Sequence, residues 1–124
     1  ANTSSWSFKG EEIPFSPAPL KTIRPMLEGD LYTAFSYMLE DQEAVEKSRI
    51  PVEQMGASIL LMAADADEMW PSAMMVDEIE RRLQEHQFPF EVQKLIFEGG
   101  HEEPLQHFDS VFQFLDRNLA KTQD

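Results

Sequence analysis

Two acids and one imidazole stand where a hydrolytic proton relay would need them. Asp65 and Asp67 follow the apolar run Ile59-Leu60-Leu61-Met62-Ala63-Ala64, and His101 follows Glu98-Gly99-Gly100. A carboxylate that accepts from imidazole Nδ1–H fixes the ring's tautomer and leaves Nε2 to take a proton from a nucleophile. The glycines before His101 let a loop turn sharply and bring the ring into a crowded place. A lone loop histidine is more often a surface residue, but the strand-then-Gly-Gly-His context favours the chemical reading. Of the two acids, Asp65 stands directly off the run and reads as a solvated strand end or a cap. Asp67 leads into the bulky turn Glu68-Met69-Trp70-Pro71, which can hold a carboxylate in one direction. Asp67 and His101 are therefore the candidate catalytic residues.

The nucleophile is the gap. A catalytic Ser in Gly-x-Ser-x-Gly sits on a strained elbow between a strand and a helix. The nearest match, Gly56-Ala57-Ser58-Ile59-Leu60, has its Ser entering a strand and Leu in fifth place, so Ser58 reads as structural. The chain has no Cys, which excludes thiol nucleophiles, disulfides and thiolate metal sites within it. His101-Glu102-Glu103-Pro104-Leu105 begins like the zinc motif His-Glu-x-x-His, but Leu105 replaces the second His and Pro104 sits badly inside a helix. His86 and His107 read as surface or cap residues. Met69, Trp70, Met74 and Met75 could line an acyl pocket, Met69 and Trp70 being the candidates kept, although core packing is the commoner use of such residues.

Positioning such a pair requires strands whose carboxyl ends meet. Ser58 to Ala63 is a continuous apolar run, the pattern of a strand covered on both faces. Phe90 to Phe97 reads as a second strand. Between them, Ser72 to about His86 has helical period, with Met75, Val76, Ile79 and Leu83 on one face. Leu105 to about Leu119 reads as a final helix buried through Phe108, Val111, Phe112, Leu115 and Leu119. This β-α-β-α order implies parallel strands with a right-handed crossover. Functional groups of open α/β sheets gather in loops beyond the strands' carboxyl ends, where Asp65, Asp67 and His101 all fall. Two parallel strands alone make a poor sheet, so partner strands are expected from elsewhere.

Upstream, residues 1–29 are rich in Ser, Pro and Gly and read as irregular, with a hairpin around Lys9-Gly10 between Trp6 and Phe15. Residues 30–49 read as a helical, lid-like segment. Asp30 is an N-cap, Leu31, Ala34, Phe35, Met38 and Leu39 share a face, and a second short helix spans Gln42 to Ser48 after the break at Asp41. Ile50-Pro51-Val52 is extended, because the residue before Pro avoids helical geometry. Residues 50–124 form the α/β core of a single domain fragment.

The charge narrows the partners. The chain has 124 residues, 23 of them acidic and 10 basic, for a formal net charge of -13. That field repels phosphate backbones and anionic lipid, so neither nucleic acid nor a membrane surface is expected as a partner. Hydrophobic residues make up 42%, enough to build a core. No apolar run approaches a membrane span and no signal peptide is visible, which leaves the cytoplasm as the default location.

With these residues in place, the chain resembles the C-terminal part of the acyl-CoA thioesterase and bile-acid-CoA:amino-acid N-acyltransferase family, relatives of the dienelactone hydrolases. Trp6-Ser7-Phe8-Lys9-Gly10 with Ile13-Pro14-Phe15 is similar to that family's aromatic-Lys-Gly hairpin. Ile50-Pro51-Val52-Glu53 before Ile59-Leu60-Leu61 resembles its approach to the strand preceding the acid. Asp67-Glu68-Met69-Trp70-Pro71-Ser72 matches its Asp-x-x-Trp-Pro-Ser segment, and Gly99-Gly100-His101 its histidine loop. Ala63 and Ala64 depart from the pattern, since family members commonly carry Gly near that strand end.

The resemblance implies the C-terminal portion of an α/β-hydrolase fold: parallel strands with flanking helices, and a sheet incomplete unless paired with missing or partner strands. In that fold the order is Ser, acid, His, so the nucleophile would precede Ala1. It also implies acyl transfer from a small-molecule acyl-CoA thioester or ester, with Asp67 and His101 as triad acid and base. No cofactor is needed, and CoA would be part of the substrate. This chain alone would be inactive, its partner being the upstream half of the parent hydrolase that carries the nucleophile.

Two other classes stay open. A non-catalytic, hydrolase-like domain would act by association, and its bare strand edges would invite a homo-oligomer. Asp65-x-Asp67 after an apolar strand also resembles the haloacid-dehalogenase signature, a Mg²⁺-dependent phosphatase family. There Met69 stands where Thr or Val is wanted, and the later Lys and acidic pair are not evident.

Overall fold

The computed structural model describes residues 3–119; the first two residues of the expected N-terminal segment and the last five of the expected core lie outside them. The chain forms two compact units. One is built from residues up to Ile50 together with Glu68–Pro71, the other from Pro51–Asp67 and the chain from Ser72 onward.

In the first unit, β1 (Ser7–Phe8) and β2 (Glu11–Glu12) form the antiparallel hairpin. Lys9 and Gly10 both take positive φ, +53° and +85°, the geometry that matches the strands' own twist in a two-residue turn. A helix not expected from the sequence, α1 (Ile23–Glu28), lies within the segment read as irregular. Its Pro25 sits in the first turn, where a backbone N–H has no intrahelical acceptor and its loss costs nothing. Gly29, at φ +80°, closes it in left-handed geometry. In α2 (Leu31–Met38), Asp30 caps by accepting from the Thr33 amide, and that bond holds its carboxyl below the ordinary range. Asp41 does more than interrupt: its side chain accepts from the Ala44 amide at 3.0 Å and starts α3 (Gln42–Ser48).

The second unit is α/β. Strands β3 (Ile59–Ala64) and β4 (Val92–Phe97) run parallel in one register, from Ile59 opposite Val92 to Ala64 opposite Phe97. The crossover between them is α4 (Ser72–Glu85). Leu61, Ala63 and Val76 form the core, with Ile59, Ile79 and Val92 packed around it. Leu83, from the same helix stripe, is 1% exposed, and burying such a side chain is worth about 1.5–3 kcal/mol. Met75 was expected on this face but is exposed at its edge.

Ion pairs brace the helix outside the core. Arg82 of α4 donates to both carboxylate oxygens of Glu53, at 2.6 and 2.8 Å, and these bonds pull the Glu53 carboxyl down to about 2. Lys94 of β4 donates to Asp77, at 2.8 Å, and to Glu80, both on α4, which raises its ammonium above the ordinary lysine value.

The last helix corrects the sequence reading. Leu105 belongs to a 3₁₀ turn, Glu103–Gln106, and α5 begins at Phe108 and runs to Leu119. Phe114 is its buried residue, whereas Phe108, Phe112, Leu115 and Leu119 are 43–63% exposed. The periodicity is real, but most of the stripe stays exposed in the described residues. No further strand pairs with β3 or β4 among the described residues.

Candidate active site

The register of β3 and β4 brings two loops out at the same level. Beyond Ala64 the acid loop runs from Asp65 to Pro71. Its far end is tied back by Ser72 Oγ, which donates to the Ala64 carbonyl at 3.3 Å. Beyond Phe97 the histidine loop runs through Gly99 and Gly100 to His101, then folds into the Glu103–Gln106 turn, where the Glu103 amide donates to the Gly100 carbonyl.

Asp67 and His101 meet. His101 Nδ1 lies 3.1 Å from each carboxylate oxygen of Asp67. The Asp67 side chain is 6% exposed and that of His101 35%. As a carboxylate Asp67 can only accept, so the shared proton belongs to Nδ1, and Nε2 is left as the basic nitrogen of the neutral ring. Burial of the acid keeps water from competing for the bond. The arrangement can therefore hold an imidazole in one tautomer and stabilise it once charged.

Asp65 does something else. Its amide donates to the Phe97 carbonyl at 2.9 Å and its Oδ1 accepts from the Gly99 amide at 3.0 Å, while the Ala66 amide donates to the Gly99 carbonyl at 3.0 Å. These bonds continue the ladder of the sheet past the strand ends. Gly99 has φ +148°, a conformation that a side chain disfavours, and a Cβ there would lie 2.9 Å from Glu103 Cγ. Glu103 in turn accepts from His107 Nε2 at 3.0 Å, and the His107 ring stacks on Phe97 at 3.9 Å between centroids. His107 is a cap residue, as the sequence suggested, closing the Glu103–Gln106 turn, but its bond to Glu103 was not anticipated. Their i, i+4 spacing was the available signal.

The remaining candidates are placed as follows. Ser58 precedes β3 at its amino end, so the six-residue strand separates it from the acid loop by roughly 20 Å. Trp70 stacks on Phe35 within the first unit, centroids 3.8 Å apart, and Met69 is partly buried. A cavity of about 460 Å³ in that unit is lined by Ile13, Phe15, Asp41 and Lys47 among others, and holds none of the candidate residues. His86 follows α4 and continues its hydrogen bonding to the Arg82 carbonyl. Among the described residues no three His, Cys, Asp or Glu side chains gather as a metal-holding group, and no helix is long and apolar enough to cross a membrane.

A small parallel sheet with a crossover helix defines a partial α/β fold, and beyond its strand ends a buried carboxylate meets a partly exposed imidazole. The chain belongs to the BAAT / acyl-CoA thioester hydrolase C-terminal family, whose model matches residues 2–105. No curated protein and no solved structure matches it.

Proposed function

We propose that this chain is the proton-handling part of a serine- or cysteine-type acyl hydrolase or acyltransferase acting on acyl-CoA thioesters or carboxylic esters. The observation that carries the reading is the buried Asp67 carboxylate at 3.1 Å from His101 Nδ1, in a chain of the acyl-CoA thioester hydrolase family. A hydroxyl or thiol from a segment outside these 124 residues gives its proton to His101 Nε2 and attacks the carbonyl carbon. The tetrahedral intermediate collapses, His101 returns the proton to the leaving thiolate or alkoxide, and an acyl-enzyme remains. Water or an amine, deprotonated by the same nitrogen, then releases the acyl group. Asp67 stays ionised and orients the ring throughout. Met69 and Trp70 are retained as candidates for the acyl pocket.

The exposed stripe of α5, from Phe108 through Phe112 and Leu115 to Leu119, supports a partner. The reading assigns that stripe and the unpaired strand edges to the nucleophile-bearing segment, with CoA entering only as substrate. Pairing of two copies through the same edges is the competing outcome.

The test is to express the chain together with the coding sequence upstream of Ala1 and follow thiol release from acyl-CoA thioesters. Hydrolysis or transfer to an amine should appear, and His101→Ala should lower kcat by roughly 10²–10⁴-fold. Activity that survives His101→Ala would remove His101 as the base.

A further inference from the structure

We propose that Asp65 and Glu103 are positioning residues that clamp the histidine loop at Gly99 and so set the distance from His101 to Asp67. The inference rests on the proposed role of His101 and assigns two residues that act on it through the loop at Gly99.

Gly99 is held from both sides. On one side the acid loop takes both of its backbone groups: Oδ1 of Asp65 accepts from its amide and the Ala66 amide donates to its carbonyl, each at 3.0 Å. The two peptide groups that flank Gly99 are each held by one of these bonds, and neither can rotate without losing it. On the other side, the Cβ and Cγ of Glu103 lie where a side chain at position 99 would have to go, 3.0 and 2.9 Å from a Cβ built there. Glu103 is kept in place by His107, whose ring lies flat on Phe97, the last residue of β4.

The clamp thus runs from the end of one strand to the end of the other and grips the loop two residues before His101. Asp65–Gly99 and Asp67–His101 are both separated by 34 residues, so the outer contact repeats the register of the inner one. A loop released at Gly99 would carry His101 away from a carboxylate that stays buried. Misplacing a catalytic group by about 1 Å can cost roughly 100-fold in rate.

The experiment uses the active, upstream-extended protein and two readouts: the His101 Nδ1–H proton resonance, and kcat against KM for thioester hydrolysis. Asp65→Ala and Glu103→Ala should each broaden or shift that resonance and lower kcat by roughly 10- to 100-fold with KM little changed. Asp65→Asn and Glu103→Gln, which keep an accepting oxygen and the packing atoms, should restore most of both. Alanine variants with the native resonance and native kcat would overturn the proposal, as would conservative variants that fail as badly as alanine. If His101→Ala stays active, the acyl-transfer reading falls, and the resonance alone still decides whether the clamp holds the ring.

Discussion

Replacing Asp67 by Asn tests the geometry of the pair without any substrate. Both carboxylate oxygens stand 3.1 Å from His101 Nδ1 and the side chain is 6% exposed, so the bond is charge-assisted and largely shielded from water. Hydrogen bonds to charged groups contribute about 1.5–3 kcal/mol, which at about 1.4 kcal/mol per tenfold favours the Nδ1–H tautomer by roughly 12- to 140-fold. The neutral ring should then carry its proton on Nδ1 in about nine molecules of ten or more. Asn of the same shape can accept from Nδ1–H with its oxygen or donate to a bare Nδ1 with its nitrogen, so the preference should fall to a few-fold at most. Long-range ¹H–¹⁵N correlation of the imidazoles reads the tautomer directly, at about pH 8.5, well above the ordinary imidazole value of roughly 6.5. His101→Gln identifies the signals. A native ring protonated on Nε2, or an Asp67→Asn spectrum with an undiminished Nδ1–H preference, would refute the reasoning.

Further outcomes follow from the packing and the ion pairs. Leu83→Ala empties a site that is 1% exposed and should lower stability by about 2–5 kcal/mol, seen as a lower urea midpoint with an unchanged slope. Glu53 has its carboxyl lowered from 4.5 to about 2 by Arg82, so its stabilising effect is complete above pH 4.5 and is lost as pH falls through 2. The gap in melting temperature between the native chain and Glu53→Gln should therefore shrink as pH drops through that window; a gap independent of pH would contradict the pairing. Asp41→Ala removes the bond to the Ala44 amide and should cost about 1 kcal/mol, with faster hydrogen exchange at the start of α3.

Apart from α1, the longer helices and the parallel strands were legible because each has a period of its own. Strand β3 sits one residue later than the apolar run suggested, since Ser58 lies outside the ladder and Ala64 inside it. The helix between the strands starts at Ser72 as expected and seats Val76 and Leu83, two of the four residues on its predicted face, in buried positions. What periodicity cannot show is how much surface waits on the other side. The α5 stripe has the spacing of a buried face, yet Phe112 is 59% exposed. In the same way Pro25 reads as a breaker until its place in the first turn of α1 is known.

At the site, the difficulty was of another kind. The pairing of Asp67 with His101 could be argued from the strand ends, which deliver their loops side by side, and from the bulky turn that set Asp67 apart from Asp65. The proposed roles of Asp65 and Glu103 depend on which loop atoms bond to Gly99 and which fill the space where its Cβ would lie, and no spacing rule encodes that. The parallel register is what ties the two together. A slip of one residue between β3 and β4 would move the loops apart by roughly 3.3 Å and turn every side chain to the opposite face. It would break Asp65–Gly99 and Asp67–His101 in the same step. Leu61, Ala63 and Val76 form the core beneath that register. The stability of this small sheet and the geometry of its Asp67–His101 pair are one property.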